Sequence, residues 1–469
     1  MRLGSAAKKI TDGTHHSPAS FSSGDFKYLS AKNIKTWGID LSDVTYVPAA
    51  VHDEIYARCD PEVGDILFIK DGATTGILTI NTLAEPFSLL SSVGVIKPSC
   101  GLTSEWLARV MRSPYFYSAM RAEMTGVAIT RVTLSKLNVA LVPLPPLAEQ
   151  SRIVTRVEAI MRLCDALEAK GHMEAAQHAQ LVSTLLGTLT ASTTPEELAA
   201  NWQRVAQHFD LLLDRPEAID ALEQTLLQLA VRGLLVPQDP TDEPASALLQ
   251  KIRAEKDRLI ATGQIKRDKP LPPITDEEKP FELPVGWEWV RLGALIELVS
   301  GQHLGPSEYV DGLTASLPYL TGPAEFGTLS PEPTRSTYER RAVAVCDDIL
   351  ITVKGSGVGK LNVVKHDEVA ISRQLMAIRP VLLNAEFLMI FLQTMAHYFQ
   401  AKSIGIAIPG IGREDVTHAE FGLPPLAEQS RIVTRVTALR RLCTDLRQRL
   451  AERQSVQARL AEALMAFVA

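Results

Sequence analysis

Two short loops carry residue types suited to phosphate and base contact. Lys70-Asp71-Gly72-Ala73-Thr74-Thr75-Gly76 and Lys354-Gly355-Ser356-Gly357-Val358-Gly359-Lys360 each join lysine to glycines and small hydroxyl side chains, so backbone amides can approach an anion. Neither is a nucleotide-hydrolysing phosphate loop. The second has three residues between Gly355 and Gly359 where that motif needs four, and Leu361 replaces the metal-binding Ser or Thr.

Base edges are read by side chains with paired donors or donor–acceptor sets, chiefly Arg, Lys, Asn and Gln. Thr14, His15, His16, Lys32, Asn33, Lys35, Arg131, Gln302, His303, Arg373, Gln374 and Arg413 are further candidates of this kind. Any one of them taken alone reads first as a solvated surface residue. His15-His16 has no acidic or Cys companion in sequence, so no metal site is assigned. No Asn-Pro-Pro-aromatic segment exists to orient an amino group for methylation, and Glu277-Glu278-Lys279 lies in a Pro-rich linker instead of on a nuclease strand. No catalytic centre is therefore expected.

The elements that position these residues come in two copies. Leu144-Pro145-Pro146-Leu147-Ala148-Glu149-Gln150-Ser151-Arg152-Ile153-Val154-Thr155-Arg156-Val157 returns unchanged as Leu423 to Val436, fourteen identical residues at a shift of 279. Such a repeat decides architecture before any local reading. Each copy opens with Pro-Pro and places a glutamate near the positive helix end, which predicts a helix start. In the first helix Ile153, Val157, Ile160, Cys164 and Leu167 share a heptad seam, resumed at Leu181 and Leu185 after an interruption. In the second, Ile432, Val436, Leu439, Cys443 and Leu446 begin a seam that continues to Phe467, broken only at Arg453 and Gln457. Two readings stand: the helices pair along these seams, or each packs on its own domain. Confinement of the identity to helix start and seam favours pairing. Arg431, Arg435, Arg440, Arg441, Arg447 and Arg449 would then form a charged outer face for partners.

Two mixed domains alternate with the helices. Residues 1–146 combine β-rich runs such as Ile66-Leu67-Phe68-Ile69 with glycine turns and a helix over 104–121. Residues 147–285 hold the first long helix, further helices over 196–232 and 245–261, and a Pro-rich linker. Residues 286–422 repeat the first domain piece by piece, with Gly405-Ile406-Ala407-Ile408 matching Gly126-Val127-Ala128-Ile129. Residues 423–469 form the last helix. The fold class is α+β: two mixed α/β domains separated by long helices packing as an antiparallel coiled coil, with an internal pseudo-two-fold repeat.

Net charge is −6, which alone argues against nucleic acid. The connector over 192–286 carries much of it, with 17 acidic against 11 basic residues, whereas residues 1–146 are balanced at 14 basic and 13 acidic. If the chain binds DNA, a basic partner supplies part of the phosphate attraction. Five cysteines without paired spacing fit a reducing cytosol, and neither a membrane span nor a secretory leader is read.

The doubled Pro-Pro-Leu-Ala-Glu-Gln segment, the connector Leu229-Ala230-Val231-Arg232-Gly233-Leu234-Leu235-Val236-Pro237-Gln238-Asp239-Pro240 and the segment Leu283-Pro284-Val285-Gly286-Trp287-Glu288-Trp289 resemble the specificity subunit of type I restriction-modification systems over nearly the whole chain. The resemblance implies two target-recognition domains, each reading one half of a split, asymmetric sequence in double-stranded DNA. It implies helices that set the spacer and dock two methyltransferase subunits, with restriction and translocase subunits in the full complex. S-adenosylmethionine would sit on the methyltransferase, with no cofactor on this chain. A stand-alone DNA-modifying enzyme and a coiled-coil scaffold without DNA binding are the alternatives. One departure is that the family's Pro-x-Gly-Trp opening, present before the second domain, does not precede Met1-Arg2-Leu3-Gly4.

Overall fold

The computed structural model describes residues 1–122, 131–192, 194–267, 269–355, 357–403 and 410–468. The repeated segments 126–129 and 405–408 lie outside them. The chain divides into two compact units, Met1–Met173 and Glu174–Ala469.

The first unit is built on an antiparallel sheet of β1 (Ala7–Asp12), β2 (Ile66–Ile69), β3 (Leu78–Ile80) and β4 (Val93–Pro98), in spatial order β1-β4-β2-β3. Both faces are covered, so β2 and β4 are almost wholly buried instead of alternating. Helix α1 (Ser104–Arg112) packs Trp106, Leu107 and Met111 against this core. It is shorter than expected, because Ser113 adopts extended backbone before Pro114, whose ring disfavours helical geometry in the preceding residue. A separate helix covers Pro114–Ala122.

Helix α2 (Leu147–Ala191) starts at the repeated segment. Gln150 is fully buried there: its amide oxygen accepts from the Thr103 N–H at 2.9 Å, and its Nε2 donates to the carbonyls of Gly101 and Pro145. The first turns pack Ile153 and Val154 on the domain core. Beyond them the expected seam is open to solvent: Val157 is half-buried, while Ile160, Cys164 and Leu167 are exposed.

In the second unit, α3 (Pro216–Val231) buries Ile219, Leu222, Leu226 and Leu229, and Gly233 ends it in the left-handed region. The second domain contains β5 (Glu288–Arg291), β6 (Ile296–Ser300), β7 (Ile349–Thr352), β8 (Leu361–Val363), β9 (Leu375–Pro380), α4 (Ala385–Thr394), β10 (Glu420–Leu423) and α5 (Leu426–Val468). Its central sheet runs β6-β9-β7-β8, the topology of the first domain's sheet. Gln429 repeats the role of Gln150, accepting from the Asn384 N–H at 3.0 Å and donating to the Pro424 carbonyl.

Helix pairing differs from the simple expectation. Asp220 and Glu223 of α3 bond Arg447 and Arg440 of α5, so numbering rises on one helix as it falls on the other. His178 of α2 meets Asp214 just before α3, and Arg232 just after α3 donates to the Thr190 carbonyl. Thus α3 is parallel to the end of α2 and antiparallel to α5, and the two long helices are antiparallel here, as expected. They share one apolar cluster with α3 inserted into it. The face of α2 used centres on Val182, Leu186 and Leu189, with the expected Leu185 half-buried at its edge and the expected Leu181 exposed, because α3 covers that side. On α5, Ile432 and Val436 join the second domain's core; Cys443 is buried and Leu439 and Leu446 half-buried in the bundle. Arg431, Arg440 and Arg447 are engaged within the chain by Asp242, Glu223 and Asp220, which leaves Arg435, Arg441 and Arg449 exposed.

Glu428 is the hub of the α5 start. It is buried and accepts from Trp287 Nε1 at 2.8 Å and Gln238 Nε2 at 2.7 Å, whereas its repeat counterpart Glu149 is exposed. Burial raises the Glu428 pKa above the usual 4.5 despite these donors. The folded state then holds the proton more tightly than the unfolded chain, so this group's contribution to stability falls as pH rises from about 4.5 through the raised value. Glu428→Gln removes that slope: the variant's stability relative to the parent should improve across this window, as read by denaturant unfolding at several pH values. Leu222→Ala should cost about 2–5 kcal/mol by leaving a cavity between α3 and its neighbours, while Leu460→Ala on the exposed part of α5 should change stability by less than about 0.5 kcal/mol.

Candidate nucleic-acid interface

In both domains the candidate residues gather at one end of the central sheet. β1 and β2 end where β4 begins, as the pairs Asp12↔Gly94 and Ile69↔Val93 show. β6 and β7 end where β9 begins, through Ser300↔Met376 and Thr352↔Leu375. Three chain segments therefore meet at each site. The backbone frame is the same: a β carbon at Gly13 would lie 1.9 Å from the Leu89 carbonyl oxygen, and one at Gly301 2.0 Å from that of Ser372. Only glycine fits either crossing, and the chain then presents Thr14-His15 or Gln302-His303. The glycine loops also correspond, with Gly72 and Gly76, and Gly355 and Gly359, all in the left-handed region.

In the first domain the fold assembles an ion network. Lys70, read from sequence as an exposed anion ligand, is instead 2% exposed, with Nζ 3.2 Å from Asp12 and 3.1 Å from Asp71. An ammonium so enclosed must spend its charge on internal carboxylates. Asp12 also accepts from Arg58 at 2.6 Å and lies 3.3 Å from His15. Arg131 is held on Asp71 through Nε at 2.9 Å. Arg58 escaped sequence reasoning because it is distant in the chain and carries no motif. His15 does gain an acidic companion through folding, but Arg58 occupies the same carboxylate, and a guanidinium there opposes a metal ion.

Other candidates separate into supports and surface groups. Asn33 is buried and donates to the carbonyls of Asp40 and Asp43 while accepting from the Ser30 N–H, so it shapes its loop and cannot reach a base. Thr75 is buried and donates to the Gly72 carbonyl at 2.6 Å. Thr74 and His16 are exposed, Thr14 is half-buried, Lys32 pairs with Asp43, and Lys35 is half-exposed on the neighbouring loop. Thr36 of that loop lines one cavity with Thr74, Thr75, Arg112 and Tyr117.

In the second domain Gln302, His303, Lys354, Lys360, Arg373 and Gln374 are exposed. The Val353 N–H donates to the Gln374 carbonyl and the Gln302 N–H to that of Ile371, which brings three segments together. Arg413 turns inward, donating to the Leu298 carbonyl at 2.5 Å, and so braces β6. Ser356 lies outside the described residues.

Two domains of one topology, each gathering polar side chains at the same sheet end and each leading into a long helix, define a duplicated recognition protein. Residues 22–175 and 284–453 match the model of the type I restriction modification DNA specificity domain, and the chain belongs to that family of specificity subunits. It is 37% identical over 414 residues to the specificity subunit of the type I restriction enzyme EcoAI of Escherichia coli, covering 84% of this chain and 67% of that protein. It is 37% identical over 390 residues to the EcoEI specificity subunit of Escherichia coli, covering 78% of this chain and 65% of that protein. The chain thus spans about two thirds of the length of these relatives. A solved structure of a type I restriction-modification system holds a chain of similar fold, with TM-score 0.56 and 21% identity over 99% of this chain and 96% of that one. Among the described residues no helix is long and apolar enough to cross a membrane.

The buried network has a direct stability consequence. Asp12→Ala takes one of two carboxylates from an enclosed ammonium and should cost roughly 3 kcal/mol. Adding Lys70→Met should recover more than half of that loss, since no charge is then stranded; chemical unfolding of the single and double variants measures both values.

Proposed function

We propose that this chain is the DNA-targeting, non-catalytic subunit of a methylating and restricting complex, each domain reading one half of a split, asymmetric target. The observation that carries this is one backbone frame with two sets of side chains. Where the first domain has Asp12, Thr14, Lys70, Asp71 and Arg131, the second has Ser300, Gln302, Val353, Lys354 and Gly410. Base edges are distinguished by donor and acceptor placement, so equal frames with unequal side chains are suited to unequal half-sequences.

The long helices carry the other half of the role. They set the spacing between half-sequences and dock two methyltransferase subunits, which bring S-adenosylmethionine, with restriction and translocase subunits joining the complex. Exposed Arg435, Arg441 and Arg449 and the apolar side chains along Ile160 to Leu167 support such docking. The relatives' designation as specificity subunits of type I restriction enzymes supports the same assignment.

Exchanging residues 286–422 for the equivalent domain of a relative tests the division of labour. Mapping methylated motifs in cells that carry the hybrid with its methyltransferase should show one new half-sequence and one retained. Change in both halves would refute independent reading.

A further inference from the structure

A guanine presents two acceptors in the major groove, and arginine meets them best when its guanidinium edge is already fixed and faces out. Arg131 meets both conditions. Its Nε and Nη2 lie on the two carboxylate oxygens of Asp71, at 2.9 and 3.5 Å. A planar guanidinium held by that edge still presents Nη1 and the outer N–H of Nη2 as a parallel pair. Among the described residues Arg131 has no other hydrogen-bond partner, and its side chain is 49% exposed.

The support beneath it reaches the core. Asp71 is held by Lys70, Lys70 by Asp12, and Asp12 by Arg58 and His15, so rotamer freedom at the rim is restricted before any DNA arrives. Backbone adds to this: Asp71 and Arg131 form a bridge, and the Val132 N–H donates to the Lys70 carbonyl at 2.8 Å. Lys70, Arg58 and Arg131 against Asp12 and Asp71 make three positive charges to two negative, with His15 counted neutral. One positive charge is left over, which adds to the attraction for phosphate, while the fixed guanidinium supplies directed donors. The corresponding bridge in the second domain joins Lys354 to Gly410, where no guanidinium exists.

We propose that Arg131 reads a guanine in the half-target of the first domain, with Asp71 as its positioning residue. This rests on the DNA-reading function above. The full chain, co-expressed with its methyltransferase subunits, provides the assay. Arg131→Lys keeps the charge and removes the fork, so preference for G·C at one position of one half-sequence should fall about 5- to 150-fold, the equivalent of roughly 1–3 kcal/mol for a bidentate pair. The other half should be unchanged. Asp71→Asn should relax the same position to a smaller extent. If a variant methylates too weakly to map, selection of bound sequences from a randomised DNA pool by the same complex replaces methylation, with thermal unfolding as the control for folding. Discrimination kept at every position in Arg131→Lys, or an equal loss of binding across all sequences in Arg131→Ala, would overturn the assignment. A parent complex with no split motif at all would instead overturn the DNA-reading function beneath it.

Discussion

One buried amide at the start of each long helix governs the arrangement of helix and domain. Gln150 and Gln429 are fully buried, and each joins the first helical turn to backbone groups of the domain before it. A buried amide without partners is costly, so its bonds accept only a narrow range of helix directions. At about 1.5 Å per residue, a helix of this length extends some 65 Å, and a small angular error at its start becomes a large displacement at its end. Each long helix therefore needs a fixed start. The glutamine of the repeated segment supplies it twice.

The two helix starts are otherwise unequal. Glu428 is enclosed by Gln238 of the connector and Trp287 just after it, while Glu149 faces solvent. The second start therefore ties together α5, the connector and β5, whose residues pair with β10 from Glu288↔Leu423 to Arg291↔Glu420. At the first start the corresponding ladder runs from the reciprocal Met1–Val142 backbone bonds through the bridge Arg2↔Leu141 to the Leu3 N–H on the Ala140 carbonyl. Identical helix starts thus acquire different environments, Glu428 buried and Glu149 exposed.

Between the two domains, shared mechanics and differing chemistry occupy different layers. A buried acid at the start of the middle strand is paired in both copies, Asp65 with Lys97 and Asp348 with Arg379, each at 2.8 Å. These pairs lie away from the strand ends that carry the candidate readers. The frame can therefore stay constant while Asp71 is exchanged for Lys354 or Thr14 for Gln302.

Sequence alone determined what depends on local chemistry and repetition. The duplication, both helix starts, the stop at Gly233, the buried face of α3 and the glycine loops follow from proline, glycine and apolar spacing, which act within a few residues. The burial of Lys70, the structural task of Asn33, the inward turn of Arg413 and the recruitment of Arg58 did not follow. Lys70, Arg413 and Arg58 depend on partners tens of residues away, as in Lys70 with Asp12 or Arg413 with Leu298, and Asn33 on a loop closing over it from Ser30 to Asp43. The heptad pattern identified apolar faces but not their occupants, because a stripe of Ile, Val and Leu is equally complementary to any apolar helix. Only tertiary structure placed α3 against Cys443 and Leu450 and left Ile160 and Leu167 uncovered.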